Sequence, residues 1–188
     1  MESIFELLAQ YRTVETELLL LRPVTLTDAE DMFVYASDIE NLRFTFPVNE
    51  TIEVTKKNIA EIYLNSPLGR YGIVLKDESR LIGTIDFHHW NISVKRAEIG
   101  YCLNKSYWNN GYATEALKAL VDLAFNQLGL NCLVAKHDKE NIASGSVMKK
   151  SGFAFSHEEP YAKLDSKNPS RIVTLCHYYY TKEKYFKS

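Results

Sequence analysis

Between residues 97 and 137 the chain changes its period twice, and no other stretch constrains the fold as strongly. AEIGYCL reads as a β-strand over 98–103. After the small-residue turn that follows, a helical period takes over beyond Ala113, with Ala116, Leu117, Leu120, Val121, Ala124 and Leu128 on one face and Gly129 as C-cap. Residues 131–137 then return to strand. A strand, a glycine turn and a helix start leave several backbone N–H groups pointing outward without partners, which makes an anion site. Gly111 tolerates a positive φ, Asn109 and Asn110 accept turn geometry and add amide donors, and Ala113 keeps the first helical turn free of bulk. A helix with a glycine entrance and no ligand is the ordinary alternative. No lysine–serine pair and no G-x-G-x-x-G accompanies the turn, so it is neither a Walker-type loop nor a dinucleotide fingerprint.

The other elements frame this unit. Residues 3–11 predict a short helix with Ile4, Phe5, Leu8 and Tyr11 on one stripe, and the run ETELLLLRP, ended by Pro23, predicts a strand. Thr27 reads as an N-cap with Glu30 at capping-box spacing, opening a helix whose apolar face is Ala29, Met32, Phe33 and Ala36. A second helix spans 51–65, with Ile52, Ile59, Ile62 and Tyr63 as its stripe. Residues 71–75 and 81–87 flank the turn KDESR as a hairpin, and 98–103 joins them as an antiparallel strand. Helix 142–151 and strands 153–159 and 172–181 complete the order: β, two helices, three strands, helix, strand, helix, two strands. This predicts an α+β (mixed α/β) fold with helices on the faces of the sheet.

Neither disorder nor a membrane protein is indicated at 46% hydrophobic and 24% charged residues. A net charge of -2 leaves no footprint for nucleic acid and no polybasic membrane patch, so any anionic partner is met locally. The amino terminus lacks a basic region followed by an apolar one, and no apolar run has spanning length, so a cytoplasmic location is expected. Cys102, Cys132 and Cys176 lack metal-ligand spacing and read as reduced core thiols, with no metal expected. Tyr178, Tyr179 and Tyr180 alternate faces in a strand, which puts some in the core; His137 and His157 read as structural; residues 163–171 read as an exposed loop.

Taken with NIASGSVMKKSGF some thirty residues downstream, AEIGYCLNKSYWNNGYATEAL resembles the GNAT superfamily of acetyl-CoA-dependent N-acetyltransferases. The opening ELLLLRPVTLTDAEDMF and the closing YYYTKEKYF are similar to the branch that acetylates ribosomal-protein N-termini, the RimJ/RimL-like enzymes. The resemblance covers about residues 16–185, taken as the N-acetyltransferase domain, and leaves residues 1–15 as an N-terminal extension, expected to be helical. It implies a GNAT fold: a mostly antiparallel sheet of about seven strands, splayed in the middle, with helices on both faces. It further implies acetyl-CoA as cosubstrate, with the pyrophosphate wrapped by the backbone amides of Asn109, Asn110, Gly111, Tyr112 and Ala113, and with Trp108 and Thr114 among the cofactor-binding residues. Trp108 stands where most members carry Arg or Gln, so the backbone must carry the anion there. Tyr101, Cys102 and Leu103 are implied to hold the pantetheine and acetyl carbonyl through main-chain groups, and Asn141 to contact the coenzyme chain.

Thioester aminolysis needs a neutral amine, a stabilised oxyanion and a proton for the departing thiolate. The resemblance implies Glu98 as base, with Asp86 and His88 as rivals. Many GNAT enzymes donate from a tyrosine seven residues after the motif asparagine; here that residue is Met148, which cannot donate. The RimJ/RimL-like branch has a serine three residues after it, here Ser144, which is expected to hydrogen-bond the coenzyme sulfur. A cap asparagine and a helix-start serine are the ordinary readings of Asn141 and Ser144. The expected partners are acetyl-CoA and an amine acceptor, such as a protein N-terminus, with direct transfer in a monomer or homodimer. A polyamine, aminoglycoside or amino-acid acceptor, or a non-catalytic acetyl-CoA-binding module, are the alternatives.

Overall fold

The computed structural model describes residues 3–187. Helix α1 (Ile4–Gln10) precedes strands β1 (Val14–Glu15) and β2 (Leu19–Arg22), then helices α2 (Ala29–Ala36) and α3 (Ile52–Asn58). Strands β3 (Arg70–Leu75), β4 (Arg80–Asn91) and β5 (Arg96–Leu103) follow, then α4 (Tyr112–Asp122), β6 (Cys132–Asp138) and α5 (Ile142–Lys150). Strands β7 (Ala154–Leu164) and β8 (Ile172–Thr181) and helix α6 (Lys182–Lys187) close the chain. Helices α3 and α4 each run on into a wider, π-type coil, over Ile59–Leu64 and Leu123–Gln127.

One sheet of eight strands results, in the order β1-β2-β3-β4-β5-β6-β8-β7. Every neighbouring pair is antiparallel except β5 and β6. Those two strands pair only through Arg96↔Cys132, Ala97↔Leu133 and Glu98↔Val134. Beyond Glu98 they part, and the sheet opens into a gap flanked by 99–103 on one side and 135–138 on the other. The expected splay is present.

Two apolar clusters cover opposite faces. On one, Leu117, Leu120 and Val121 of α4 pack with Ile85, Phe87 and Ile99, and the cluster takes in Ile4 and Leu8 of α1. On the other, Met32, Tyr35 and Ala36 of α2 and Ile59 pack with Val74, Leu81 and Cys102. Tyr178 and Tyr180 point into the core while Tyr179 is exposed, as strand alternation requires. Cys102 and Cys176 are buried, Cys132 is half-buried, and all three are free thiols.

Several expectations need correction. The cap ahead of α2 is Thr25, not Thr27: the Thr25 N–H donates to Asp28 Oδ2 at 2.7 Å. The same threonine-to-acid spacing occurs two residues earlier, and Asp28 wins because Arg22 grips its buried carboxylate at 2.7 and 2.8 Å. Eight strands replace about seven because the two-residue β1 is too short to carry a period. Strand β7 reaches Leu164 rather than residue 159, crossing Pro160 at an irregularity in its ladder. Pro is tolerated there because β7 is the sheet's edge.

Candidate active site

A cavity of about 830 Å³ lies at the end of the gap. Its walls come from the end of β5, the start of α4, the start of α5, and the loop after α2. Tyr101, Cys102, Leu103, Trp108, Asn109, Gly111, Tyr112, Ala113, Thr114, Asn141 and Ser144 all line it. Two expected residues do not: Asn110, whose amide turns back to donate to the Trp108 carbonyl at 3.1 Å, and Glu98.

The α4 wall is built from backbone. Gly111 sits at φ 87° and Asn109 at φ 64°, both left-handed, and no side chain caps the helix. Space around Gly111 is open, so glycine is required for its backbone angle and not for lack of room. The first four N–H groups of a helix have no internal partner, and Tyr112, Ala113 and Thr114, which carry three of them, line the cavity. Trp108 braces the turn, its indole N–H donating to the Leu103 carbonyl at 2.8 Å. That carbonyl also accepts from Asn41 Nδ2 at 3.1 Å, so it is not a free group of the splayed strand. Asn104 N–H donates to Ile82 O on β4, and alternation then turns the Cys102 peptide groups toward β4 and those of Tyr101 toward the gap. Of the three residues expected to offer unpaired main chain, Tyr101 is the one placed for it along its whole peptide.

The α5 wall is pinned from several sides. Asn141 caps the helix, its Oδ1 accepting from Ser144 N–H at 3.2 Å, while its own N–H donates to Asp138 O at 2.7 Å. The phenol of Tyr101 crosses from β5 to lie 3.0 Å from both the carbonyl and the hydroxyl of Ser144. Gly145 presses on the buried His137, where an added Cβ would fall 2.7 Å from Nε2. His137 bonds Asp138 O through Nδ1, at 2.7 Å. Met148 is buried, so its side chain belongs to the core.

The three base candidates form one network, and none of them lines the cavity. His88 Nδ1 lies 3.4 Å from Asp86 Oδ1, and His88 Nε2 lies 3.3 Å from Glu98 Oε1. Lys136 Nζ and His89 Nδ1 reach the same Glu98 carboxylate at 3.0 and 3.2 Å. Burial alone would raise the Glu98 carboxyl, but hydrogen bonds from His88 and Lys136 outweigh it and hold it at about 2. The His88 imidazole is raised to about 9 by its bonds to Asp86 and Glu98. These values belong to the coupled cluster. His88, His89 and Glu98 have donor atoms within 4.8 Å of one another, close enough for a shared cation. The Lys136 ammonium already fills that role on the carboxylate.

Residues that the sequence did not reveal complete the lining. Glu40, Asn41, Arg43, Phe44 and Thr45 come from the loop after α2, and Glu140, Ser146, Val147 and Lys150 from around α5. Ser146, Val147 and Lys150 lie within NIASGSVMKKSGF, but the resemblance assigns them no role there; Val147 and Lys150 recur at the helical spacing of Ala143 and Ser146. Burial pushes the Cys102 thiol up to about 12, so it carries no thiolate at neutral pH.

A sheet split at its one parallel pair, with an uncapped helix start and a pinned second helix around the opening, defines a splayed-sheet protein with a cleft suited to an anionic ligand. The comparisons give the family. The family described as "Acetyltransferase (GNAT) domain" matches residues 19–154. The chain is 38% identical over 144 residues to the uncharacterized N-acetyltransferase YoaA of Bacillus subtilis, covering 74% of this chain and 81% of that protein. A GNAT-family acetyltransferase structure from Bacillus anthracis superposes with a TM-score of 0.79 at 26% identity, covering 91% and 99% of the two chains. The ribosomal-protein-S5-alanine acetyltransferase of Vibrio fischeri shares the fold at a TM-score of 0.72 and 18% identity, covering 91% of this chain and 97% of that one. The chain belongs to the GNAT acetyltransferase family, whose domains use acetyl-CoA. Among the described residues, no helix is long and apolar enough to cross a membrane.

Proposed function

We propose that the enzyme acetylates the α-amine of a peptide or protein N-terminus by direct transfer from acetyl-CoA. The residues present fit the coenzyme: the uncapped N–H groups of Tyr112, Ala113 and Thr114 suit its pyrophosphate, and Lys150 adds a cationic side chain to the same cavity. Bound there, acetyl-CoA supplies an activated acetyl thioester. Tyr101 offers main-chain groups facing the gap, and Ser144 offers a hydroxyl to the sulfur.

The observation that carries the acceptor reading is the weak basicity of the cluster. Glu98 sits at about 2 and His88 at about 9, so neither is a free strong base at neutral pH. Neither of these groups lines the cavity, so a lysine-type or polyamine nitrogen, with a pKa near ~10.4, would stay protonated there, whereas an α-amine titrates near ~8 and is partly neutral already. Glu98 lies outside the cavity lining with its carboxylate held by His88, His89 and Lys136, so water takes the proton: once the nitrogen has bonded to carbon, its remaining N–H is acidic enough for water to accept. The unreactive Cys102 thiol supports transfer without an acetyl-cysteine stage.

The test is acetyl-CoA consumption against peptides with varied N-termini, polyamines and aminoglycosides, with mass spectrometry of every amine. Turnover confined to peptides supports the reading; turnover confined to polyamines or aminoglycosides rejects the acceptor and keeps the enzyme. CoA binding without turnover of any amine would indicate a non-catalytic module.

A further inference from the structure

We propose that Tyr101 is a positioning residue for the leaving thiolate: its phenol holds Ser144 so that the serine hydroxyl is aimed at the coenzyme sulfur. The proposal rests on the reading of Ser144 given above and assigns a side-chain role to a residue whose expected part was main chain only.

Three features carry it. Tyr101 and Ser144 belong to opposite sides of the gap, one on β5 and one in the first turn of α5, and both line the cavity. The phenol oxygen stands 3.0 Å from Ser144 Oγ and 3.0 Å from Ser144 O, so it is the one side chain tied to the serine at both atoms. On its other side the serine is fixed by Asn141 Oδ1 at its N–H, and the next residue, Gly145, rests on His137. With its N–H held by Asn141 and the phenol oxygen within 3.0 Å of its hydroxyl, Ser144 is fixed in the backbone and faces one polar side-chain neighbour at Oγ. Its direction is set by the phenol.

The chemistry is hydrogen-bond donation rather than acid catalysis. As the amine nitrogen bonds to the acetyl carbon, the carbon–sulfur bond breaks and its electron pair stays on sulfur. The phenol has one proton and two acceptors at 3.0 Å, the carbonyl and the hydroxyl of Ser144; turned from the carbonyl to Oγ, it leaves the serine proton free to point at that charge. Burial holds the phenol well above its ordinary range, so it remains a neutral donor at all working pH values and does not surrender its proton to a thiolate. The sulfur takes its proton from solvent after departure. Met148, at the helix position where a direct donor is absent, is buried in the core and cannot share the task.

The experiment uses the thiol of CoA itself as the probe, since thiolate formation is visible in the ultraviolet and needs no acceptor amine. The thiol of CoA bound to the full-length enzyme is titrated in the wild type, in Tyr101→Phe and in Ser144→Ala, and the affinity for desulfo-CoA is measured alongside. The expected result is a bound-thiol pKa about one unit higher in both variants than in the wild type, with desulfo-CoA affinity unchanged. In turnover, Tyr101→Phe is expected to lose about tenfold or more in kcat with the KM for acetyl-CoA unchanged. An unchanged thiol pKa in Tyr101→Phe overturns the proposal. So does an equal loss of CoA and desulfo-CoA affinity, which would mean that the phenol only braces the wall. A wild type that binds neither ligand removes the coenzyme reading itself, and the proposal with it.

Discussion

Arg171 grips Asp138 with two hydrogen bonds from one terminal nitrogen, at 2.7 and 2.8 Å, and so ties the β7–β8 connection to the end of β6. The same guanidinium reaches Asp165 at 2.6 Å and Glu140 at 3.1 Å. Asp138 is buried, and its carbonyl accepts from Asn141 N–H and from His137 Nδ1. Lys167, in the same connection, bonds the Leu42 carbonyl of the loop after α2. The connection is exposed over most of its length, as expected, and is nevertheless strapped to both the α5 wall and the α2 loop.

Removing Arg171 therefore leaves a buried carboxylate without its main cation. Arg171→Leu is expected to destabilise the enzyme by about 2 kcal/mol or more in urea unfolding, below the full value for a wholly buried pair because the arginine is partly solvated. Asp138→Asn in the same background should recover part of the loss, since it removes the stranded charge. Additive effects of the two substitutions would contradict this coupling.

Stability should also report the Glu98–His88 pair through pH. His88 is raised from 6.5 to about 9 on folding, so its contribution is complete below pH 6.5 and lost as pH rises through about 9. Glu98 is lowered from 4.5 to about 2, so its contribution is complete above pH 4.5 and lost as pH falls through about 2. Thermal unfolding of the wild type should therefore show Tm falling between pH 7 and 9.5, and His88→Gln should flatten that limb. A limb of equal slope in the variant would show that other groups cause it.

At the α4 turn, Gly111 holds φ 87° in open space. Gly111→Val meets no steric neighbour but pays the left-handed penalty of about 1–2 kcal/mol. Relief of that strain turns the amide cradle, so CoA affinity measured by calorimetry should fall about tenfold. Unchanged affinity would place the pyrophosphate elsewhere.

The buried Cys102 thiol, at about 12, should resist alkylation in the folded enzyme and react only after unfolding. Cys102→Ala should keep turnover, with initial-rate plots intersecting as a ternary complex requires. Parallel plots, or an acetyl group found on Cys102, would establish a covalent route instead.

Much of this site was legible because its parts are local. The strand at 98–103, Gly111 and the helix after it lie within one short stretch, and backbone angles and helix ends follow from nearby residues. The cap at Thr25 was misplaced because two threonine-to-acid pairs compete and only Arg22, brought in by folding, decides between them. The lining by Glu40 to Thr45 had no periodic signal, and Asn41 acquires its place through a bond to Leu103 far along the chain. The phenol of Tyr101 was invisible for a related reason: its partner, Ser144, becomes a neighbour only when β5 and β6 part and α5 closes the gap. Glu98 lies outside the cavity lining, and its low proton affinity comes from His88 and Lys136 on neighbouring strands, which spacing along β5 does not reveal.

The most direct measurement is single-turnover transfer from labelled acetyl-CoA to a peptide that carries both a free α-amine and a lysine, with tandem mass spectrometry to locate the acetyl group. Label on the α-amine alone, appearing with CoA release and never on the protein, is the predicted result. Label on the lysine side chain, or CoA released no faster than by spontaneous hydrolysis, would contradict it.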